Sequence, residues 1–447
     1  MHSIRCSTPR VALHPIPRRG GFRTWHLVRA GGLVLSFTAF GCREGPTDAS
    51  ENAAVIEVTA STQGQDVDPD GYTATLDGAG GQSLAPSATV TFSNVSPGEH
   101  DVELTDVADN CTVGAPNPRT VTLTAGQTVP TTFSVSCAAI ELIAFESDRT
   151  GDDDIWVMWA DGSHLENLTN AVGDDFNPRW SPDGTRIAFG STADGDAEIW
   201  VMDADGSNAT NLTDSPGDDV DPQWSPDGSQ IVFRSDRAAG EDDIWVMDAD
   251  GSNARNLTID AADDFDPRWS PDGSLIYFTS DRDGDLEIWV MNPDGGGEVN
   301  LTSDPGNDFS PRLSATGDFI LFVSDRTGDN DIWATSSDGL VQVNLTDDPG
   351  NDIEPRWSPD NARIAFQSDR DGNGDIWIMN GNGSDPTNLT NDPAFDFAPV
   401  WAPGSTRITF TSDRSGNNDL WLMSVDGSNP TNLSSSAGSD TDPAWRP

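Results

Sequence analysis

The sequence predicts an all-β protein in which residues 140–447 form a seven-bladed β-propeller of four-stranded antiparallel blades, preceded by a small β-sandwich. Three observations lead to this prediction. A segment of 44 or 45 residues repeats seven times, each repeat holds four short apolar stretches, and the two ends of the array are complementary fragments of one repeat. A repeat of this length is one structural unit that buries its apolar face against its neighbours.

Two aromatic positions define the repeat. One is a Phe in the second apolar stretch and the other is a Trp in the third. They recur at Phe145, Phe189, Phe233, Phe278, Phe322, Phe366 and Phe410, and at Trp156, Trp200, Trp245, Trp289, Trp333, Trp377 and Trp421. Clusters of Gly, Asp and Pro separate the stretches, as in the tight turn predicted at 225–228. These regularly spaced turn residues favour antiparallel blades over a helical solenoid.

The two ends of the array complete each other. It opens on the second strand type, at residues 143–147, and closes on the first strand type, at residues 442–446. If these segments pair, the first and last repeats form one composite blade and leave no sheet edge at the seam. We therefore expect a ring that is closed by strand exchange.

Residues 1–42 have the pattern of a secretory signal peptide. An Arg-rich stretch precedes a short apolar run that ends in the sequence AFGC, which resembles a bacterial lipobox with Cys42 as the lipidated residue. Residues 43–52 are polar and suit a linker. We expect a protein anchored in the cell envelope, with the outer membrane as its site, facing the periplasm or the cell surface. The lipid would be its sole membrane contact.

Residues 53–139 carry alternating β-branched runs that predict a five- or six-stranded antiparallel sandwich. The predicted strands are 54–59, 72–76, 88–92, 100–104, 120–123 and 131–135. Cys111 and Cys137 are expected to form a disulfide, which implies an oxidising compartment. The alternative is a pair of buried free thiols.

The composition is strongly acidic. The chain has 74 Asp and Glu against 24 basic residues, all of them Arg, for a formal net charge of −50. Nucleic acid is excluded as a partner because binding it needs a basic surface. Such a charge suits cations, basic partners or a saline habitat.

The strings PRWSPDG, IAFQSDRDG, DIWVM and DGSNARNLT resemble the repeats of the TolB β-propeller family over some 300 of the 447 residues. TolB proteins have six blades, an α/β N-terminal domain and no lipid anchor, so the resemblance implies the propeller fold and not a role in the Tol–Pal system. The strings YTATLDG, VSPGEHDVEL and VTLTAGQ resemble PEGA-like modules, which implies a spacer or a binding platform. The repeats depart from their pattern at Leu313 in place of Trp, at Asn361 in place of Gly, and at the segment STAD, residues 191–194.

One acidic position recurs five residues before the Trp of the first strand type. By comparison with propellers of this kind it enters the innermost strand, so its seven carboxylates would ring one mouth of the channel and bind a cation or a basic partner. The alternative is that they bond turn amides and the Arg of the SDR motif. The seven residues are Asp175, Asp219, Asp264, Asp308, Asp352, Asp396 and Asp440.

A second candidate site is the loop DRDGDLE. Asp281, Asp283, Asp285 and Glu287 place oxygen ligands at alternate positions, a spacing that suits a Ca²⁺ loop. The alternative is a solvated hairpin turn. We expect no cofactor other than this candidate Ca²⁺.

The residues favour a binding protein over an enzyme. No nucleophile elbow is present, and few His remain after the signal peptide. We expect a monomer that presents an acidic channel face to a protein or peptide partner. The alternative is a divalent-metal-dependent enzyme or lectin that acts on carbohydrate, which would need two or three acids converging beside an aromatic platform.

Overall fold

The computed structural model of the protein describes residues 53–64, 66–68, 70–238 and 241–447. The regular elements in these ranges are 36 β-strands, so the all-β prediction is confirmed. In the same ranges there is no helix with the length and apolar character needed to cross a bilayer. The predicted signal peptide (1–42), its Cys42 and the linker (43–52) lie outside the described residues.

The N-terminal part contains eight strands. They are β1 (Ala54–Gly64), β2 (Tyr72–Leu76), β3 (Ala79–Leu84), β4 (Thr89–Val95), β5 (Gly98–Thr105), β6 (Cys111–Val113), β7 (Arg119–Leu123) and β8 (Thr128–Cys137). They form two four-stranded sheets, in the orders β4-β1-β8-β6 and β3-β2-β5-β7. Residues of both sheets share one hydrophobic core, with Phe133 and Val58 from the first and Tyr72 and Val102 from the second.

The expectation of five or six antiparallel strands is wrong in two respects. There are eight strands, and β1 pairs with β8 in parallel. Alternation of apolar residues shows which face of a strand is buried and carries no information on strand direction. The short strands β3 and β6 were missed because one is rich in Gly and the other has three residues.

Cys111 and Cys137 form the predicted disulfide, with their Cα atoms 4.0 Å apart. The two residues are opposite partners in the antiparallel pair β6/β8. The disulfide therefore fastens an edge strand to its sheet.

The remaining 28 strands form seven sheets of four. The first sheet is β9 (Leu142–Ser147), β10 (Asp154–Trp159) and β11 (Glu166–Asn167), together with β36 (Asp440–Trp445). The second and third are β12 (Asp175–Trp180), β13 (Arg186–Ser191), β14 (Glu198–Asp203) and β15 (Thr210–Asn211), then β16 (Asp219–Trp224), β17 (Gln230–Ser235), β18 (Asp243–Asp248) and β19 (Arg255–Asn256). The fourth and fifth are β20 (Asp264–Trp269), β21 (Ile276–Ser280), β22 (Glu287–Met291) and β23 (Val299–Asn300), then β24 (Asp308–Leu313), β25 (Phe319–Ser324), β26 (Asp331–Ser336) and β27 (Gln342–Asn344). The sixth and seventh are β28 (Asp352–Trp357), β29 (Arg363–Ser368), β30 (Asp375–Asn380) and β31 (Thr387–Asn388), then β32 (Asp396–Trp401), β33 (Arg407–Ser412), β34 (Asp419–Ser424) and β35 (Thr431–Asn432).

Each of these sheets repeats one local design. In the third sheet, Trp224 ends the first strand and the turn at 225–228 reverses the chain. Gly228 takes a φ of 69° there, a conformation that a residue without a β-carbon adopts freely. In the equivalent turn of the sixth sheet, Asn361 takes a φ of 59°, which Asn tolerates better than most side chains. The second strand, with Phe233 fully buried, packs between neighbouring sheets.

The last strand completes the first sheet. β36 pairs antiparallel with β9, with Asp440 opposite Ser147 and Trp445 opposite Ile143, so the predicted pairing of the array's two ends is present. The first strands of successive sheets contact one another in cyclic order, from β12 through β16, β20, β24, β28 and β32 to β36, which contacts β12 again. These seven strands therefore surround one axis.

Candidate functional site

The seven repeated aspartates begin the strands that surround the axis, and their side chains are buried. Their residues are between 0% and 2% exposed. Six of the seven accept a hydrogen bond from the Arg of the SDR motif in the same sheet. The pairs are Arg149–Asp440 (2.7 Å), Arg282–Asp264 (2.9 Å), Arg370–Asp352 (2.7 Å), Arg414–Asp396 (2.7 Å), Arg237–Asp219 and Arg326–Asp308.

The arginine of each pair is itself held on three sides. In the fourth sheet, Nε of Arg282 donates to Oγ of Ser280 at 2.8 Å. Its guanidinium carbon lies 4.6 Å from the ring centroid of Trp289 and 5.3 Å from that of Phe278. A planar cation stacked on an aromatic face and bonded to a carboxylate is a preferred arrangement for Arg. The SDR motif and the two repeated aromatic residues are therefore parts of one structural unit.

The second sheet lacks this arginine because Ala193 occupies its position in the segment STAD. Asp175 has no arginine partner among the residues that the structure describes. Burial raises the pKa of Asp175 to about 6, against the opposing effect of hydrogen bonds from Ser191 and Thr169. The one departure from the motif thus leaves one buried carboxyl group without a cation.

These contacts correct the expectation of free carboxylates at a channel mouth. A carboxylate that is buried and bonded to Arg is not available to a ligand. The geometry matches the alternative, in which the aspartates bond the Arg of the SDR motif.

The candidate Ca²⁺ loop also differs from the expectation. Glu287 is buried, and its carboxylate accepts a hydrogen bond from Oγ1 of Thr302 at 2.7 Å. Burial raises the pKa of Glu287 to about 8, so this group holds a proton at neutral pH. Asp283 accepts instead from Nδ2 of Asn300 at 3.1 Å. Asp281 accepts from the backbone N–H of Asp263 at 3.0 Å, so Asp281, Asp283 and Glu287 bond to three separate partners.

Across the described ranges, no three His, Cys, Asp or Glu side chains are grouped so that they could hold a metal ion. The carbohydrate alternative requires such a group of acids. The same ranges contain two histidines, and both are bonded to acids. His100 contacts Asp77 at 2.7 Å, and His164 contacts Asp109 at 3.0 Å while stacking on Trp159.

A cavity of about 470 Å³ opens on the axis, at the end where the first strands finish. We call it the axial cavity. Its wall is formed by the residue that precedes the Trp or Leu at the end of each first strand. These residues are Arg179, Gln223, Arg268, Arg312, Arg356, Val400 and Ala444. This site was not predicted from the sequence, although the residue before Trp differs between repeats while its neighbours recur.

Tryptophans hold the wall of the axial cavity in place. Nε1 of Trp224 donates to the carbonyl oxygen of Arg179 in the preceding sheet, at 3.1 Å. Nε1 of Trp401 donates in the same way to the carbonyl of Arg356, at 3.0 Å. The indole of one sheet therefore fixes the backbone of a wall residue in the sheet before it.

A rim of turns surrounds this opening. We call it the turn face; it consists of the turns at 181–184, 225–228, 270–273, 314–317, 358–361 and 402–405. Neighbouring turns lie close together. A β-carbon built onto Gly228 would be 3.6 Å from Cδ of Pro182 in the preceding turn, and one built onto Gly273 would be 3.7 Å from Cδ of Pro226. Hydrogen bonds from Ser and Thr hydroxyls lower the pKa of Asp183, Asp227 and Asp272 to about 2. Four of the six turns thus present an exposed Asp, while four arginines line the cavity at the centre of the turn face.

Burial lowers the pKa of three of those arginines, Arg268, Arg312 and Arg356. The pKa of Arg268 is lowered to about 10, first by burial, against the opposing effect of Asp266. The pKa of Arg312 is lowered well below its usual value by burial and by the neighbouring Arg268 and Arg356. The cavity therefore concentrates positive charge in a chain whose net charge is −50.

Solved structures with a similar fold come from several kinds of protein. TolB from Acinetobacter baumannii aligns with 21% identity and a TM-score of 0.48 over 69% of this chain and 67% of that chain. Oligogalacturonate lyase from Vibrio parahaemolyticus aligns with 13% identity and a TM-score of 0.50, over 66% and 86%. A puromycin-hydrolyzing peptidase from Mycobacterium tuberculosis aligns with 14% identity and a TM-score of 0.52, over 64% of this chain and 50% of that chain. The lyase and peptidase similarities, with TM-scores of 0.50 and 0.52, show the fold alone.

No curated protein matches the chain. A family model does, and it is described as the TolB beta propeller domain. It matches residues 116–263, 238–347, 301–396 and 341–447, which together cover more than half of the sequence. The chain belongs to the TolB beta propeller domain family.

Proposed function

We propose that this chain is a non-enzymatic binding protein of the cell envelope, in which a closed seven-bladed propeller beside a small β-sandwich binds a protein or peptide partner at the turn face. The observation that carries the proposal is the contrast between two positions of the repeat. The buried Asp at the start of each first strand is the same in all seven sheets, whereas the cavity-lining residue near its end varies.

The recurring Asp is a packing residue, whereas the variable cavity-lining position is suited to recognition of a partner. A repeat protein needs recurring residues where neighbouring units pack, and it is free to vary where a concave surface meets a partner. The wall of the axial cavity includes Arg312, Gln223 and Val400 at equivalent positions. Such a mixed wall on rigid strands suits recognition of one defined partner.

The charge of the turn face indicates the kind of partner surface that meets it. Asp183, Asp227 and Asp272 are exposed, and their low pKa keeps them ionised at neutral pH. An acidic rim attracts a basic surface and repels an acidic one. The partner is therefore expected to carry Lys or Arg around the segment that enters the axial cavity.

The envelope location rests on two features. The Cys111–Cys137 disulfide suits an oxidising compartment, and the sequence before residue 43 resembles a lipoprotein signal. We propose that Cys42 carries the lipid. Mass spectrometry of the membrane fraction tests this proposal: a mature N-terminus at an acylated Cys42 supports it, and an unmodified cysteine at that position contradicts it.

Photo-crosslinking in the living cell tests the binding face. A photoreactive residue is placed in the full chain at Thr185 or at Ser229, which are exposed and directly follow two turns of the turn face. The matched positions are Thr210 and Thr387, which are exposed on outer strands. We expect one specific adduct from the turn-face positions and none from the outer strands. Adducts from the outer strands alone, or equal yields at all four positions, would contradict the proposal.

A further inference from the structure

We propose that the axial cavity is an anion-binding site in which Arg179, Arg268, Arg312 and Arg356 hold a multivalent oxyanion, either carboxylate or phosphate. The site does not depend on the proposed function, because binding of a small anion can be measured on the chain alone. The anion could be a free small molecule or a group carried by a partner, and the experiment below separates these two sources.

The four guanidinium groups are brought together by the fold. Each arginine stands at the same position of a first strand, one residue before the strand's last residue, and these strands surround the axis. All four line the axial cavity of about 470 Å³. A second cavity of about 300 Å³ shares Arg268, Arg312 and Arg356 with it. The combined space is of the size that small-molecule ligands occupy.

Among the described residues, most N–H donors of these arginines have no hydrogen-bond partner. Nη1 of Arg179, Arg268 and Arg312 each donates to the carbonyl of the Pro before it, at 2.8 to 2.9 Å. Nη1 of Arg356 is buried and has no hydrogen-bond partner in the described part of the chain. A guanidinium has five N–H donors, and its planar fork matches the oxygens of a carboxylate or phosphate.

One of the four arginines, Arg268, lies at ion-pair distance from a carboxylate. Oδ1 of Asp266 lies 4.0 Å from Nη2 of Arg268. Within the described ranges no carboxylate oxygen lies within 4.0 Å of a guanidinium nitrogen of Arg179, Arg312 or Arg356. The SDR arginines, in contrast, are each paired with a buried Asp.

The remaining acids near the axis lie mainly behind the arginines as seen from the opening. Asp221, Asp266 and Glu354 precede the wall residues by two positions on their strands, farther from the turn face. Asp442 is the exception, since it also lines the cavity, on the side of Val400 and Ala444. An anion that enters from the turn face therefore meets guanidinium groups along one side, and Val400, Ala444 and the acid Asp442 on the other.

The energetics favour an anion at this position. Removing charges from water is costly unless opposite charge compensates them. Burial lowers the pKa of Arg312 and Arg356, and neighbouring arginines lower both further, against the opposing charges of Asp266 and Glu354. A bound oxyanion offsets this repulsion and satisfies donors such as Nη1 of Arg356.

Isothermal titration of the full chain with citrate, with inorganic pyrophosphate and with a capped hexaglutamate peptide tests the site. We expect saturable binding at one site per chain for at least one probe. Binding of citrate or pyrophosphate indicates a free anion, whereas binding of hexaglutamate alone indicates carboxylates carried by a partner. No saturable binding of any of the three probes would overturn the proposal.

Three variants test whether the anion binds in the axial cavity. Arg312→Gln is expected to weaken affinity at least about tenfold. Arg363→Gln removes the same charge at an exposed position outside the cavity and is expected to leave affinity within about twofold. Gln223→Arg adds a fifth guanidinium group to the wall and is expected to tighten binding, so the test remains decisive if Arg312→Gln fails to fold. Equal losses in Arg312→Gln and Arg363→Gln, or no gain in Gln223→Arg, would show that the anion binds elsewhere.

Discussion

Nη2 of Arg282 donates to both carboxylate oxygens of Asp264, at 2.9 and 3.0 Å, across a separation of 18 residues. The bond joins the loop after the second strand of a sheet to the start of its first strand. The same pair recurs in six of the seven sheets, with the aspartate buried each time. The pairing identifies the repeated aspartates as structural residues. We therefore expect the partner to bind at the turn face and not at these aspartates.

Removing the arginine from one of these pairs should be strongly destabilising. In Arg282→Gln the buried Asp264 loses its cation, and loss of one partner of a buried ion pair costs about 3–5 kcal/mol. The free energy of unfolding, from denaturant titration, measures the effect. Arg363→Gln is the control, because an exposed arginine should contribute less than about 0.5 kcal/mol. Equal effects of the two variants would show that the pair is not structural.

Supplying the missing arginine should stabilise the second sheet. Ala193 is exposed and occupies the SDR arginine position, so Ala193→Arg can reach Asp175 and Trp200. A charge-assisted hydrogen bond to a buried carboxylate should raise the free energy of unfolding by about 1–2 kcal/mol at pH 7. No gain, or a loss, in the same titration would contradict this account.

Replacing Asp175 and replacing Asp264 by Asn should have different effects on the stability of the protein. Asp175→Asn removes a buried charge that has no arginine partner, so we expect unchanged or higher stability at pH 7. Asp264→Asn leaves Arg282 without its buried partner, so we expect a loss of about 3 kcal/mol or more. Thermal melts of the two variants at the same pH measure the difference. A larger loss for Asp175→Asn than for Asp264→Asn would refute the distinction.

The propeller fold was predictable from the sequence because the repeat has a nearly constant length and its apolar stretches are separated by turn residues. Few architectures combine these two features. The role of Asp264 stayed open between a ligand-binding carboxylate and a partner for the SDR arginine, because its burial and its bond to Arg282 are visible only once the strands are placed. The axial cavity was missed for a related reason: nothing in the string PRW shows that the Arg points to the axis while the Trp points to the neighbouring sheet. The parallel pairing of β1 and β8 was missed because strand direction leaves no trace in the alternation.

Stability should decrease as the pH rises from about 4.5 to about 8. Burial, with nearby Asp442 and Asp153, raises the pKa of Glu146 to about 8 from its ordinary value of 4.5. The folded protein therefore holds a proton that the unfolded chain releases in this range, so the contribution is complete below pH 4.5 and is lost as the pH approaches 8. Glu198 and Glu287 act in the same direction, with pKa values of about 7 and about 8.

The variant Glu146→Gln tests this pH dependence. Its melting temperature should exceed that of the unchanged protein at pH 8 and should vary less between pH 5 and pH 8. The control is Glu57→Gln, at an exposed residue of β1. A melting temperature that rises from pH 5 to pH 8 in the unchanged protein would be inconsistent with these buried carboxyl groups.

The disulfide should contribute substantially to the N-terminal sheets. Cys111 and Cys137 are separated by 26 residues, and removal of such a bond from a small domain typically costs about 2–5 kcal/mol. The double variant Cys111→Ser, Cys137→Ser should lower the first unfolding transition in calorimetry, and reductant should have the same effect on the unchanged protein. An identical trace with and without the bond would show that these sheets do not depend on it.

The most direct test of recognition at the turn face is the crosslinking yield from a photoreactive residue at Thr185 when nearby charges are removed. Asp227→Asn with Asp272→Asn removes two charges of the rim and keeps the Oδ1 acceptor that holds each turn. Asp205→Asn with Asp250→Asn makes the same change in outer turns with similar Ser contacts. We predict a severalfold loss of adduct in the first pair, no loss in the second, and unchanged melting temperatures in both. Equal yields in the two pairs would contradict recognition at the turn face.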